Sequence, residues 1–121
     1  MSLIELKPKV REFLEGDKGL YINGEYVPSE SGKTFEVKNP STEEVIANVS
    51  EASEKDVDKA VKAAKDAFDN GEWTKMDADS RSQLIYKFSE LLHENREELA
   101  QLEALDNGKK YQQALEDDVD G

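Results

Sequence analysis

The feature that most constrains this chain is a change in the spacing of its apolar residues at Ser53. Before it, short β-rich runs alternate with turn dipeptides; after it, apolar residues recur every three or four positions. Strands carry a period of two and helices a period of 3.6, so the chain divides into a β half and an α half. The expected organisation is an N-terminal helix and linker over 1–19, paired β-hairpins over 20–50, and a helical segment over 51–121. Together they make one incomplete domain.

Residues 5–14 fit a short helix with Pro8 in its first turn, where a missing N–H costs little; Gly16 and Gly19 then break it. In "LYINGEYV", two short runs, 20–22 and 25–27, flank Asn23-Gly24, the dipeptide that best tolerates the positive φ angles of a two-residue hairpin. "TFEVKN" and "EVIANVS" read as a second pair of strands joined through Pro40, with Phe35 and Val37 on one face and Val45, Ala47 and Val49 on another. Four strands in two hairpins predict a small antiparallel sheet.

Ser53 and Asp56 have the spacing of a capping box, and Val57, Ala60, Val61, Ala64, Ala67 and Phe68 form the apolar stripe of a helix stopped at Asn70-Gly71. Asp77 is the expected N-cap of the next helix, over 78–94, whose buried face is Leu84, Ile85, Phe88, Leu91 and Leu92. Asn95 and Glu98 make a second cap-like pair before a helix at 96–106 carrying Leu99, Leu102 and Leu105, which Asn107-Gly108 stops. A last helix begins near Tyr111. The first two stripes can bury each other, while Leu99, Leu102 and Leu105 with Tyr111, Leu115 and Val119 expose a further apolar surface. Residues from about 111 onward are therefore expected to fray in a monomer or to be ordered by self-association.

Function classes narrow quickly. The formal charge of −12, from 28 acids against 16 bases, repels phosphate backbones and anionic membranes, so nucleic acid is not an expected partner. Lys59, Lys62 and Lys65 cluster, but on the face opposite the apolar stripe, which reads as solvated surface. No apolar run is long enough to span a membrane, and the first ten residues lack the apolar centre of a secretory signal, which places the chain in the cytoplasm. With no cysteine there is no disulfide, no thiolate metal site and no cysteine nucleophile.

Local motifs add little chemistry. His93 is the single histidine and lies at the polar end of a helix, so no Ser-His-Asp or multi-histidine metal site can be assembled. Trp73, in "NGEWTKMD", reads as a loop anchor with ligand stacking as the alternative. The tail places Glu116, Asp118, Asp120 and Gly121 like the first half of a calcium-binding EF-hand loop, without the glutamate that closes one. No glycine-rich phosphate loop occurs.

Read in order, "LYINGEYV", "SGKTFEVKNPSTEEVIANVSEASEKDVDKAVKAAKDAF", "WTKMDADSRSQLIYKFSELL" and "LEALDNGKKY" resemble the N-terminal portion of NAD(P)-dependent aldehyde dehydrogenases, from about Leu20 to Tyr111. The resemblance implies an α/β enzyme in which this portion, α+β as a fragment, forms part of the cofactor-binding domain. Members oxidise aldehydes to acids through a cysteine thiohemiacetal, hydride transfer to nicotinamide, and hydrolysis assisted by a glutamate. Those groups come later in the family's chain, so the resemblance implies a non-catalytic segment with no cofactor of its own. NAD or NADP would serve the full-length enzyme, and the remainder of that chain would be the partner. It also implies that the helix near Tyr111 is cut, and Met1-Ser2-Leu3 reads as a cloning remnant.

Some members hold a monovalent cation with the aspartate of "LDNG" and backbone carbonyls just before the "NP" turn. Those positions match Asp106, Val37 and Lys38; on its own, Asp106 reads as a helix-end carboxylate. Two residues depart from the family pattern. Lys110 stands where proline is common, and Glu43 stands where glycine often closes the "NP" turn, which puts that turn's geometry in question. The reading from a different class is an independent acidic helical module that binds a partner protein through apolar stripes.

Overall fold

The computed structural model describes residues 5–121, so the stretch Met1-Ser2-Leu3 lies outside the described residues. Pro8 occupies the first position of helix α1 (Pro8–Leu14), which ends at an extended Glu15 and at Gly16 with φ +69°. Five strands follow: β1 (Asp17–Lys18), β2 (Leu20–Ile22), β3 (Glu25–Val27), β4 (Thr34–Lys38) and β5 (Val45–Ser50). The remaining helices are α2 (Glu54–Asn70), α3 (Glu72–Lys75), α4 (Ala78–Glu94), α5 (Arg96–Asn107) and α6 (Tyr111–Gln113), the last running into a π-helical segment, Ala114–Val119. The architecture is α+β, with the change of element type at Ser53.

Asn23 and Gly24 adopt φ +54° and +83°, the left-handed pair a type I′ turn requires, and β2 pairs antiparallel with β3 with Leu20 opposite Val27. Tyr21 and Tyr26 face each other across this pair, ring edge to ring face, with centroids 5.0 Å apart. The second hairpin turns on Asn39, whose carbonyl accepts the Glu43 N–H at 2.8 Å and whose Oδ1 accepts the Ser41 N–H at 2.9 Å. Glu43 itself takes φ +62°, so the left-handed position is kept although the residue is not glycine.

The single antiparallel sheet expected from four strands does not form. The β2–β3 hairpin is a sheet by itself, and β4 and β5 belong to a three-stranded sheet in the order β1-β5-β4. The additional strand, β1, runs parallel to β5, with Asp17 opposite Asn48 and Lys18 opposite Val49. A two-residue strand carries no periodic signal, and its partner is distant in sequence.

The chain folds as two compact units. One comprises the described part of Met1–Gly16 with Glu36–Ala47 and Phe88–Gly121; the other comprises Asp17–Phe35 and Asn48–Lys87. Strands β4 and β5 and helix α4 each run from one unit into the other.

In the first unit, Val10 of α1, Ala100 of α5 and Ala114 of the π-helical segment are buried, the two alanines completely. Small residues at these places let the C-terminal segment lie directly on α5. Gln101, also buried, fastens α1: its Nε2 donates to the Glu5 carbonyl at 3.1 Å and its Oε1 accepts the Lys7 N–H at 2.9 Å. Lys7 adds ion pairs to Glu97 and, at 3.7 Å, to Glu98. Arg96 reaches Asp120 at 3.1 Å and Lys109 reaches Asp118 at 2.5 Å. Residues from Tyr111 onward are therefore ordered within the monomer, contrary to the fraying expected, because Ala114 and half-buried Leu115 and Val119 find their apolar neighbour in α5 itself.

In the second unit, the capping box of α2 is complete. Asp56 accepts the Ser53 N–H at 2.9 Å, and Ser53 Oγ accepts the Asp56 N–H at 3.4 Å. The stripe of this helix stays open to solvent: Val57, Val61 and Phe68 are 52%, 62% and 75% exposed. Leu84 and Ile85 are exposed as well, and so are Phe88, Leu91 and Leu92 farther along α4. The expected mutual burial of these stripes is thus not observed. Periodicity identifies an apolar face without identifying what covers it.

Two helix boundaries are reached by other means than expected. Gly71 ends α2 at φ −69°, not left-handed; a Cβ there would lie 2.1 Å from the Ala67 carbonyl oxygen, so close approach explains the glycine. Asn95 does not cap α5 with its side chain; its Nδ2 donates to the Leu91 carbonyl at 2.8 Å and closes α4. Asp77 behaves as expected, accepting the Ser80 N–H at 2.8 Å.

Candidate functional site

Two segments of the first unit bring Asp106 towards Val37 and Lys38. Asp106 lies in the last turn of α5, exposed, and the helix stops one residue later because Gly108 takes φ +81° while its N–H still reaches the Ala104 carbonyl at 3.0 Å. A Cβ on Gly108 would come within 2.7 Å of Pro40 Cγ and 3.4 Å of Ser41 Oγ. The loop leaving α5 therefore touches the Asn39-Pro40 turn, and only glycine permits both the φ and the approach.

Val37 and Lys38 end β4, an edge strand of its sheet. Adjacent residues of a strand direct their backbone groups to opposite sides, so one of these two carbonyls faces the open edge. The Asp106 carboxylate has no hydrogen bond or ion pair among the described residues. The arrangement offers one free carboxylate and carbonyl oxygens, a donor set suited to a weakly held hard cation. No group of three or more His, Cys, Asp or Glu among the described residues is arranged to hold a metal ion.

The other candidates from the sequence separate from this neighbourhood. His93 is exposed on α4. Trp73 lies in α3, 46% exposed, and lines a shallow cleft with Ala78, Arg81, Ser82 and Ile85. The EF-hand-like tail is not a loop: Glu116 and Asp118 are helical, Asp118 pairs with Lys109, Asp120 pairs with Arg96, and Glu116 accepts from Gln112.

One polar centre was only half visible from the sequence. Asp56, 2% exposed, does more than cap its own helix: it also accepts the Glu30 N–H, at 3.1 Å to Oδ2, and the Ser29 hydroxyl at 3.4 Å. Ser29 in turn bonds the Glu51 carbonyl at 2.5 Å, and Lys59 pairs with Glu30 at 2.6 Å. These donors, the Ser53 N–H foremost, hold the Asp56 carboxyl below its usual range, and Lys59 does the same to Glu30. The capping-box spacing pointed to Asp56, but the contacts with Ser29 and Glu30 are long-range and leave no local trace.

Comparison with known proteins agrees with this fold and spacing. The sequence model of the Aldehyde dehydrogenase family matches residues 26–121. An aldehyde dehydrogenase of Bacillus cereus, solved with NAD+, is 57% identical and superposes with a TM-score of 0.94 over 98% of this chain and 24% of its own. Betaine aldehyde dehydrogenase of Staphylococcus aureus, also solved with NAD+, is 36% identical with a TM-score of 0.83 over 90% of this chain and 22% of its own. An aldehyde dehydrogenase of Alternaria alternata is 51% identical over 120 residues, 98% of this chain and 24% of that protein. The chain spans about a quarter of the length of the relatives it matches. Together with the hairpin, capping box and Asn39-Pro40 turn described above, these matches show that the chain belongs to the aldehyde dehydrogenase family and corresponds to its N-terminal portion.

Proposed function

We propose that this chain is a structural segment of an enzyme that oxidises aldehydes to carboxylic acids with NAD or NADP, and that the segment itself is non-catalytic. The observation that carries this reading is the open apolar stripe of α2 and α4 in a chain spanning about a quarter of its relatives' length. Covering such a surface stabilises by roughly 25 cal/mol per Å² of apolar area, and the remainder of the enzyme supplies the cover. Without that remainder, the same stripes favour self-association. The sequence holds no cysteine, so a thiohemiacetal cannot form on these residues. NAD+ accompanies the two solved relatives named above, and in this reading the cofactor binds to the complete enzyme.

The test is spectrophotometric. The chain alone, given a panel of aldehydes with NAD or NADP, is expected to form no reduced cofactor, while a polypeptide of family length carrying these residues does. Turnover by the chain alone would refute the non-catalytic role, and an inactive long form would refute the activity.

Asp106 is the proposed anchor of a monovalent cation in the complete enzyme, with the Val37 and Lys38 carbonyls as further ligands. Its unpartnered carboxylate and the contact of Gly108 with Pro40 support the placement. Asp106→Ala in the long form is expected to abolish any dependence of stability on sodium or potassium. An unchanged salt titration would refute the site.

A further inference from the structure

The sequence contains three Asn-Gly pairs, Asn23-Gly24, Asn70-Gly71 and Asn107-Gly108. In such a pair the backbone nitrogen of glycine can attack the asparagine side-chain amide, because no side chain obstructs the approach. The three local environments differ. The Gly71 N–H donates to the Ala67 carbonyl and the Gly108 N–H to the Ala104 carbonyl, both at 3.0 Å, so each nitrogen is held in the last turn of a helix. The Asn70 side chain is also tied, its Nδ2 donating to Asp66 Oδ1 at 2.8 Å.

Gly24 has none of these restraints. Its N–H has no hydrogen-bond partner among the described residues, Asn23 and Gly24 are both exposed, and a Cβ on Gly24 would meet nothing within 4 Å. Asn23 also lines a cleft of ≈ 620 Å³ with Lys59, Lys62 and Lys65 of α2, and with Asp66 and Asp69. Lys59 is paired with Glu30 and Lys65 with Asp69, which leaves Lys62 as the cation of this cleft without an ion pair among the described residues. Nearby positive charge favours the anion that develops as the amide nitrogen attacks.

We propose that Asn23 is a site of spontaneous deamidation, selected over Asn70 and Asn107 by the backbone around it. A solvent base takes the Gly24 N–H proton and the nitrogen bonds to Asn23 Cγ. The Cγ–Nδ2 bond then breaks, and ammonia leaves with a proton from water. The resulting five-membered succinimide is opened by water at either carbonyl, giving aspartate or isoaspartate; water is the only co-reactant. Aspartate tolerates the positive φ of position 23 and gains Lys62 as a charge partner. Isoaspartate inserts an extra backbone carbon into a two-residue turn, so the pairing of β2 with β3 cannot keep its register.

The experiment incubates the chain at mildly alkaline pH, native and in urea, and follows the three Asn-Gly peptides by mass spectrometry with isoaspartate detection. In urea the three react at similar rates. In the native chain Asn23 is expected to lead by roughly tenfold, because the other two need their helix ends to open first. Native rates within about twofold of one another, or a lead at Asn70 or Asn107, would overturn the proposal. Asn23→Ser removes the leading product and leaves the other two rates unchanged; a major native product at any other position in that variant would also overturn it.

Discussion

The two units are fastened in opposite ways. The unit containing α5 buries Val10, Ala100 and Ala114, with Gln101 the one fully buried polar side chain, whereas the unit containing α2 buries Ser29, Ser50 and Asp56 and no apolar side chain among its described residues. The first is a small apolar core that holds its own C-terminal segment. The second is held at its loops by hydrogen bonds to one carboxylate, while the apolar stripe beside them stays exposed. A helix with a strong apolar stripe can therefore be well formed and well capped without yet having a core. Local sequence supplies the cap, but the covering surface has to come from elsewhere.

The comparison breaks most sharply in the α5 unit. Ala100→Leu forces a larger side chain into a fully buried place and is expected to destabilise by about 1–3 kcal/mol, read from urea unfolding. A smaller loss would mean that α5 and the C-terminal segment are not in firm contact.

A lesser effect is expected from the polar centre. Ser53→Ala removes one half of the capping box and should lower stability by about 1 kcal/mol in the same measurement. Its acid dependence follows from Asp56, whose folded pKa lies below its unfolded one. Its stabilising contribution is complete above the unfolded value and disappears as pH falls through the folded value. Asp56→Asn should therefore differ most from the parent at neutral pH, and the two should converge below about pH 3. The gap between the two proteins is the proper readout, since acid also relieves repulsion in a chain of net charge −12.

The smallest effect sharpens the contrast. Phe68→Ser, on the open stripe, should change the stability of this chain by no more than about 0.5 kcal/mol. In a polypeptide of family length the same change should cost about 1.5–3 kcal/mol if the stripe is covered there. Equal effects in the two would contradict the proposed cover.

Much of the fold was legible because the signals were local. Asn23-Gly24, Ser53 with Asp56, Asp77 and Gly108 each act within a few residues of themselves, and the structure places a turn or helix end at each. Strand β1 was not legible, because its partner lies far along the chain. Leu84, Ile85 and Phe88 were assigned to a core on pattern alone, and pattern cannot say whether the covering surface is present. The order of the C-terminal segment was missed because it rests on Ala114, a residue too small to stand out in a hydrophobic pattern. The neighbourhood of Asp106 came into view through family resemblance; the approach of Gly108 to Pro40 joins segments that no spacing rule connects.

The π-helical segment from Ala114 to Val119 acts as a phase setter for the end of the chain. A π turn accommodates one residue more than an α turn would. Removing a single residue there would let the segment relax to α and would rotate everything after it by about 100° about the helix axis. Asp120 would turn away from Arg96, although every residue of the pair remained in the sequence. The angle at which the chain leaves this helix is thus encoded by a count of residues rather than by any one of them, so a deletion here would do what no substitution of Asp120 could.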